Sequence, residues 1–262
     1  MSTDDAAFEN WAGNHRAHPS HRHEPRDEAE VVELVERVRS RGATMRVVGA
    51  GHSWSDAACT DGHLVSLNRM DEVLSVDRDR GLVTVEAGLR LKHLVDHLAE
   101  RGLALANLGS IGEQSVAGVI STGTHGTGLG VGNLSSLVRE IRLVDGTGEV
   151  HTFTAEDDSE GLNAARVSVG ALGVITQVTL ECVPAFNLRE RTRILSFTEA
   201  LARMPSLVEG HDHVKFWWLP HTDRVQVFIA DRTERAPSAP TLSQRLDQSG
   251  LLAPVFERIL DL

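Results

Sequence analysis

The sequence predicts an α+β fold in which strands outnumber helices. Three observations lead there. Short runs with alternating or continuous apolar residues recur along the chain and are more numerous than helical stripes. At least one pair of strands, around Asp145-Gly146, reads as a hairpin. The Gly-x-Gly turn after the first strand continues as His52-Ser53, without the third glycine that a doubly wound dinucleotide fold needs.

The elements follow in order. Asp27 to Arg41 carries Val31, Leu34, Val35 and Val38 at helical spacing, acidic residues near its start and Gly42 as its stop. Arg46 to Val48 reads as a short strand entering Gly49-Ala50-Gly51. Gly81 to Ala87 alternates like a strand, and Leu91 to Arg101 is a helix closed by Gly102. Leu137 to Val144 and Glu149 to Phe153 are the arms of the hairpin, and Val174 to Val183 is a β-rich run ending at Pro184. Beyond it, Phe216 to Leu219 and Arg224 to Ala230 read as strands joined through Pro220 to Asp223. Arg235 to Pro240 resembles a linker and Leu251 to Leu262 a helix.

Bulk properties narrow the function classes. A hydrophobic share of 41% supports a core, and a net charge of -11 lacks the basic excess of a general nucleic-acid binder. Two cysteines, Cys59 and Cys182, are too few for a disulfide framework, and no run reaches the length of a membrane span. The acidic N-terminus has no apolar segment, so a cytoplasmic location is the default; peripheral membrane contact stays open.

Three stretches carry the chemistry. In Arg46 to Asp56, a strand leads into Val48-Gly49-Ala50-Gly51-His52-Ser53, where glycines let main-chain N–H groups face a phosphate. An ordinary tight turn would look the same. Gly109 to Gly128 mixes glycines with small hydroxyl residues and almost no charge, which suits close backbone approach to an anionic ligand. Val116, Ala117, Val119 and Ile120 set it apart from a flexible linker. Ala164 to Ile175 reads as a small-residue turn feeding an apolar strand, either a packing element or a wrap around a flat aromatic group.

Together these stretches resemble the vanillyl-alcohol-oxidase-type FAD family, in order and spacing, over residues 10 to 232. Asn10-Trp11-Ala12, Ala58 to Gly62, Leu105 to Gly109, Ala164-Ala165-Arg166 and Trp218 to Thr222 resemble its aldonolactone-oxidase branch. The resemblance implies a two-subdomain FAD-binding domain over residues 10–184, followed by an incomplete β-rich substrate domain over 185–262. It implies that Val48 to Ser53 hold the pyrophosphate and that His52 bonds covalently to the flavin. Ser110, Ser115, Gly118, Thr122, Gly123, Thr124 and His125 become cofactor contacts, and Val174 and Ile175 lie near the adenine. Gly109 matches a position beside the flavin where a larger residue hinders oxygen, so glycine leans towards an oxidase.

The implied activity is oxidation of sugar 1,4-lactones (D-arabinono or L-gulono), with FAD as hydride acceptor and O2 as the final oxidant. Alternatives are a polyol (alditol) oxidase and a silent flavin-binding remnant. The family's substrate residues fall mostly past Leu262, leaving open a fragment, a truncated product or a second chain that completes the enzyme. His15, His18, His21 and His23 form a run that hints at a metal, but no supporting ligand pattern accompanies it, so no metal is expected. Trp217 and Trp218 are expected in a sheet core.

Overall fold

The structure, a computed structural model, describes residues 7–236. The expected helix at Leu251–Leu262 and most of the Arg235–Pro240 linker lie outside the described residues.

The first unit opens with a small hairpin, β1 (Phe8–Glu9) and β2 (Arg16–Ala17), followed by β3 (His21–His23), α1 (Glu28–Ser40), β4 (Met45–Val48) and β5 (His63–Ser66). Strands β3 and β4 both pair parallel with β5, which lies between them. Helix α1 forms where its periodicity predicts. The Asp27 carboxylate accepts a hydrogen bond from Glu30 N at 2.8 Å, and its apolar stripe is buried. Gly42, at φ +61°, turns the chain out of the helix.

The second unit holds β6 (Val73–Asp77), β7 (Leu82–Glu86), α2 (Leu91–Ala99), β8 (Leu103–Ala104), α3 (Val116–Ser121), β9 (Val138–Val144), β10 (Val150–Thr154), α4 (Ser159–Arg166), β11 (Val174–Glu181) and β12 (Val183–Pro184). Five strands form an antiparallel sheet in the order β10-β9-β11-β7-β6. Its centre is the floor of the main core, where Val83, Val85, Ile141, Val144 and Val178 are almost fully buried. The hairpin turn differs in one detail from the sequence expectation. The positive φ falls at Gly148 (+93°), while the Asp145 carboxylate accepts from Thr147 N, Thr147 Oγ1 and Glu149 N. Ala164–Arg166, expected in a turn, ends α4, a helix started by Asp158 accepting from Gly161 N.

A polar clamp joins the two units. Arg142 of β9 donates from Nε and Nη2 to the Glu28 carboxylate of α1, both at 2.8 Å, and Thr176 Oγ1 of β11 donates to the same carboxylate at 2.7 Å. The Arg142 bond is the main reason the Glu28 carboxyl titrates below its ordinary range.

The third unit is β13 (Asn187–Leu195), α5 (Phe197–Gly210), β14 (His213–Trp218) and β15 (Val225–Thr233), in sheet order β13-β15-β14. Helix α5 covers one face through Ala200 and Leu207, against Val225, Val227, Ile229 and Phe216. Strand alternation sends Trp217 to the opposite face, where it is 58% exposed, and Trp218 sits at the strand end against Phe197. Neither tryptophan is core, contrary to the sequence expectation.

Candidate cofactor cleft

A cleft of about 870 Å³ lies between the first two units, a size usual for a small-molecule site. Each of the three predicted stretches contributes a wall. From the first come Val48, Gly49, Ala50, Gly51, His52 and Ser53; from the second Ser115, Gly118, Thr122 and Thr124; from the third Val174 and Ile175.

The first stretch leaves β4 and turns against the start of α3. A side chain at position 49 has no room: a Cβ there would stand 2.4 Å from Ser115 Oγ. Gly51 has φ +70°, and its carbonyl accepts a hydrogen bond from Trp11 N at 2.8 Å. Asn10 Nδ2 donates to Ser53 O at 2.9 Å and Asn14 Nδ2 to Trp54 O at 3.2 Å. The N-terminal segment therefore straps the loop in place, a role that no local pattern in Asn10-Trp11 signals. The His52 ring lies 5.4 Å from that of Trp11, and its Nδ1 is buried without a hydrogen-bond partner among the described residues. A buried nitrogen left unsatisfied in a cleft wall is a position that a ligand can complete.

The second stretch is stiffened by its own hydroxyls. Ser115 is buried, and its Oγ accepts from Gly118 N; Thr122 Oγ1 donates to Gly118 O at 2.9 Å. Gly123, at φ +65°, reverses the chain after α3. Four predicted residues of this stretch, Gly109, Ser110, Gly123 and His125, are not in the cleft wall. Gly109 is behind it: a Cβ there would meet Thr124 Cγ2 at 3.1 Å and Gln114 Oε1 at 3.9 Å, and both partners line the cleft. Ser110 and His125 are exposed.

The third wall begins with Val169, at φ +52°, an uncommon conformation for a β-branched residue, held by its N–H bonding Ser121 O at 3.2 Å. Gly173 passes so close to the sheet that a Cβ would stand 2.2 Å from Val144 O. Val174 and Ile175 then enter β11, buried.

Several lining residues escaped the sequence reading. Ala87 and Gly88 follow β7, and a Cβ on Gly88 would overlap Leu67 O. Arg39, Arg46 and Asp145 supply the charges of the wall. Bonds from Thr147 and His151 hold the Asp145 carboxyl far below its ordinary range. Among the described residues, Asp145, Glu149 and His151 form one group that brings three metal-type ligand atoms within 4.8 Å, and the sequence reading did not name it. Asp145 already spends its oxygens on the turn and on His151 Nε2 at 2.9 Å. Of the histidine run, His21 and His23 stack with His63.

The FAD binding domain family matches residues 19–154. This chain belongs to that family. The FAD-binding chain also matches the family described as D-arabinono-1,4-lactone oxidase, over residues 178–262. It is similar to the L-gulono-1,4-lactone dehydrogenase of Mycobacterium tuberculosis, 40% identical over 91% of this chain and 55% of the relative. The L-gulonolactone oxidase of Mus musculus is 38% identical over 88% of this chain and 53% of its own. The D-arabinono-1,4-lactone oxidase of Saccharomyces cerevisiae is 38% identical over 90% and 46%. The chain thus spans about half the length of the curated relatives it matches. Among solved structures, a solvent-stable cholesterol oxidase superposes with a TM-score of 0.80 over 88% of this chain at 22% identity, a likeness of fold. Among the described residues no helix is long and apolar enough to cross a membrane.

The cleft residues fit FAD. The glycine turns bring main chain to the cleft, Arg39 and Arg46 offer positive charge for a pyrophosphate, and Val48, Val174 and Ile175 offer an apolar surface for a flat ring.

Proposed function

We propose that this chain is the FAD-binding part of a flavoprotein oxidase of sugar 1,4-lactones of the D-arabinono or L-gulono type. In this reading residues 10–184 are the cofactor domain and residues 185–262 the start of the substrate domain. The observation that carries it is the convergence of the three predicted stretches on one cleft, in a chain whose relatives are named for lactone oxidation.

The chemistry that FAD supplies when bound is hydride acceptance from a CH–OH carbon and return of the electrons to dioxygen, giving hydrogen peroxide. The chain's own residues bind and orient. Val48 to Ser53 grip the pyrophosphate through main-chain donors, with Ser115, Gly118, Thr122 and Thr124 opposite. Ser110, Gly123 and His125 act at the rim, and Val174 and Ile175 flank the adenine. His52, with its unsatisfied Nδ1, is the covalent anchor. Gly109 is the position where a larger residue would hinder dioxygen; a Cβ there would already press on Thr124 Cγ2 at 3.1 Å. Groups that position the lactone and take its hydroxyl proton belong to the substrate domain.

One preparation tests both levels. The chain and its His52→Ala variant are precipitated in acid and the pellets inspected for flavin fluorescence. Peroxide release and dye reduction are then followed with L-gulono- and D-arabinono-1,4-lactone and with polyols. The wild-type flavin is expected to stay with the pellet and that of the variant to wash off. Lactone turnover by this chain alone should lie well below about 1 per second, the low end of ordinary enzyme rates. Flavin that leaves both pellets equally removes the covalent anchor. Polyol oxidation in preference to lactone moves the chain to the alditol branch.

A further inference from the structure

The histidine run finds its place in the parallel sheet of the first unit, away from the cofactor wall. His21 and His23, two apart on β3, point to one face, where they meet His63 on the central strand β5. The three rings are stacked. His21 and His63 lie 4.5 Å apart at 6°, and His23 and His63 5.1 Å apart at 10°. His23 Nε2 and His63 Nδ1 are 2.8 Å apart. A contact of that length needs one nitrogen to donate and the other to accept, so both rings cannot carry a proton there. His63 is only 4% exposed.

We propose that this stack is an acid-sensitive latch: neutral, it holds β3 and β5 together, and protonation loosens the sheet that carries the cofactor loop. The route is short. Strand β4 has β5 as its sheet partner, and the loop Gly49–His52 leaves β4 directly.

The surroundings oppose a charge on the stack from each side. Arg37 of helix α1 and Arg41 at its C-cap act on it through their charge, and β3 and β5 supply the histidines themselves. The neighbour from β4 is the uncharged Met45. The segment before β3 offers the Ser20 hydroxyl to His21 Nδ1, and Asp61 turns its main-chain carbonyl to Ser20 N. Among the described residues no carboxylate is among the groups that shift the pair. Desolvation by burial comes first and a neighbouring histidine of the stack next, with Arg37 and, for His63, Arg41 adding to them, and all lower the His23 and His63 values. The stabilising contribution of a histidine held neutral is fully present above its unfolded value of 6.5 and is lost as pH falls through the lower folded value.

The test compares thermal unfolding of the full chain at pH 7.5 and 5.0 for the wild type, His63→Val, His23→Thr and, as a control, His93→Ala on the exposed side of α2. The wild-type and His93→Ala melting temperatures should fall about 3 °C or more further than those of the two stack variants. Parallel decline in all four overturns the latch. If His63→Val does not fold, His23→Thr decides alone. Limited proteolysis at pH 5.0 locates the opening: first cuts are expected within residues 16–66 in the wild type, and first cuts in β13 to β15 overturn the proposal as well.

Discussion

The five-stranded sheet beside the cleft and the three-stranded sheet of the third unit are both antiparallel, yet they bury their strands differently. Strand β11 buries six of its eight residues, whereas β15 buries three of nine and β14 none. The central strand of the cleft sheet is buried on both faces, Thr176 and Thr179 included, although only four of its eight residues are apolar. Among the described residues the third sheet is covered on one face, by α5. Its open face carries Trp217, edge-on to Phe228 at 4.9 Å with the Lys215 ammonium over both rings. The cleft-lining residues of β11 therefore rest on a closed core, while among the described residues the third sheet presents apolar surface to solvent.

The contrast can be broken by truncating matched side chains. Ile141→Ala, at the centre of β9, should cost about 4 kcal/mol, and Ile229→Ala, on β15, about 2 kcal/mol, since the half-buried neighbours of Ile229 can relax into the space. Urea unfolding in a Trp11→Phe, Trp54→Phe background, followed separately by flavin release and by the fluorescence of Trp217 and Trp218, measures the two regions. Equal losses would show that the third sheet is as closely packed as the cleft sheet.

The comparison sharpens within the cleft wall itself. Gly49→Ala places a methyl against Ser115 Oγ and should weaken FAD binding roughly tenfold, about 1.4 kcal/mol. Adding Ser115→Ala removes the clashing oxygen and should restore most of that affinity in a flavin titration. A double variant no better than the single one would mean that the loop is displaced for another reason.

The smallest effect is expected at the clamp between the units. Glu28→Gln should lower stability by about 1 kcal/mol at pH 7, by weakening the bonds from Arg142 and Thr176. Because the Glu28 carboxyl titrates below its ordinary 4.5, its contribution is present above that pH and is lost as pH falls through the folded value. The wild-type and variant stability curves should therefore converge in acid; a constant gap down to pH 3 would assign the loss to packing alone.

Much of the fold is written locally. The α1 stripe, Asp27 and Gly42 delimit a helix because capping and periodicity act within one turn. The glycine-rich stretches announce close backbone approaches because only glycine tolerates a neighbour at 2.4 Å from the missing Cβ. Strand β13 and helix α5 went unread, the first because its charged exposed positions hide the alternation, the second because Pro205 interrupts its pattern.

What the sequence determined by itself is the set of turns, caps and apolar runs, together with the order of the three cleft-lining stretches. Tertiary structure alone decided which of their residues meet. It brought Gly49 against Ser115, pinned the His52 loop with Asn10 and Trp11, left Gly109 behind the wall and brought His63 up to His21 and His23. It also turned Trp217 outward, since alternation along a strand says that neighbours face opposite ways but not which face a helix will cover. Those contacts join residues up to 66 positions apart, as Gly49 and Ser115 are, and no local propensity carries information over that distance.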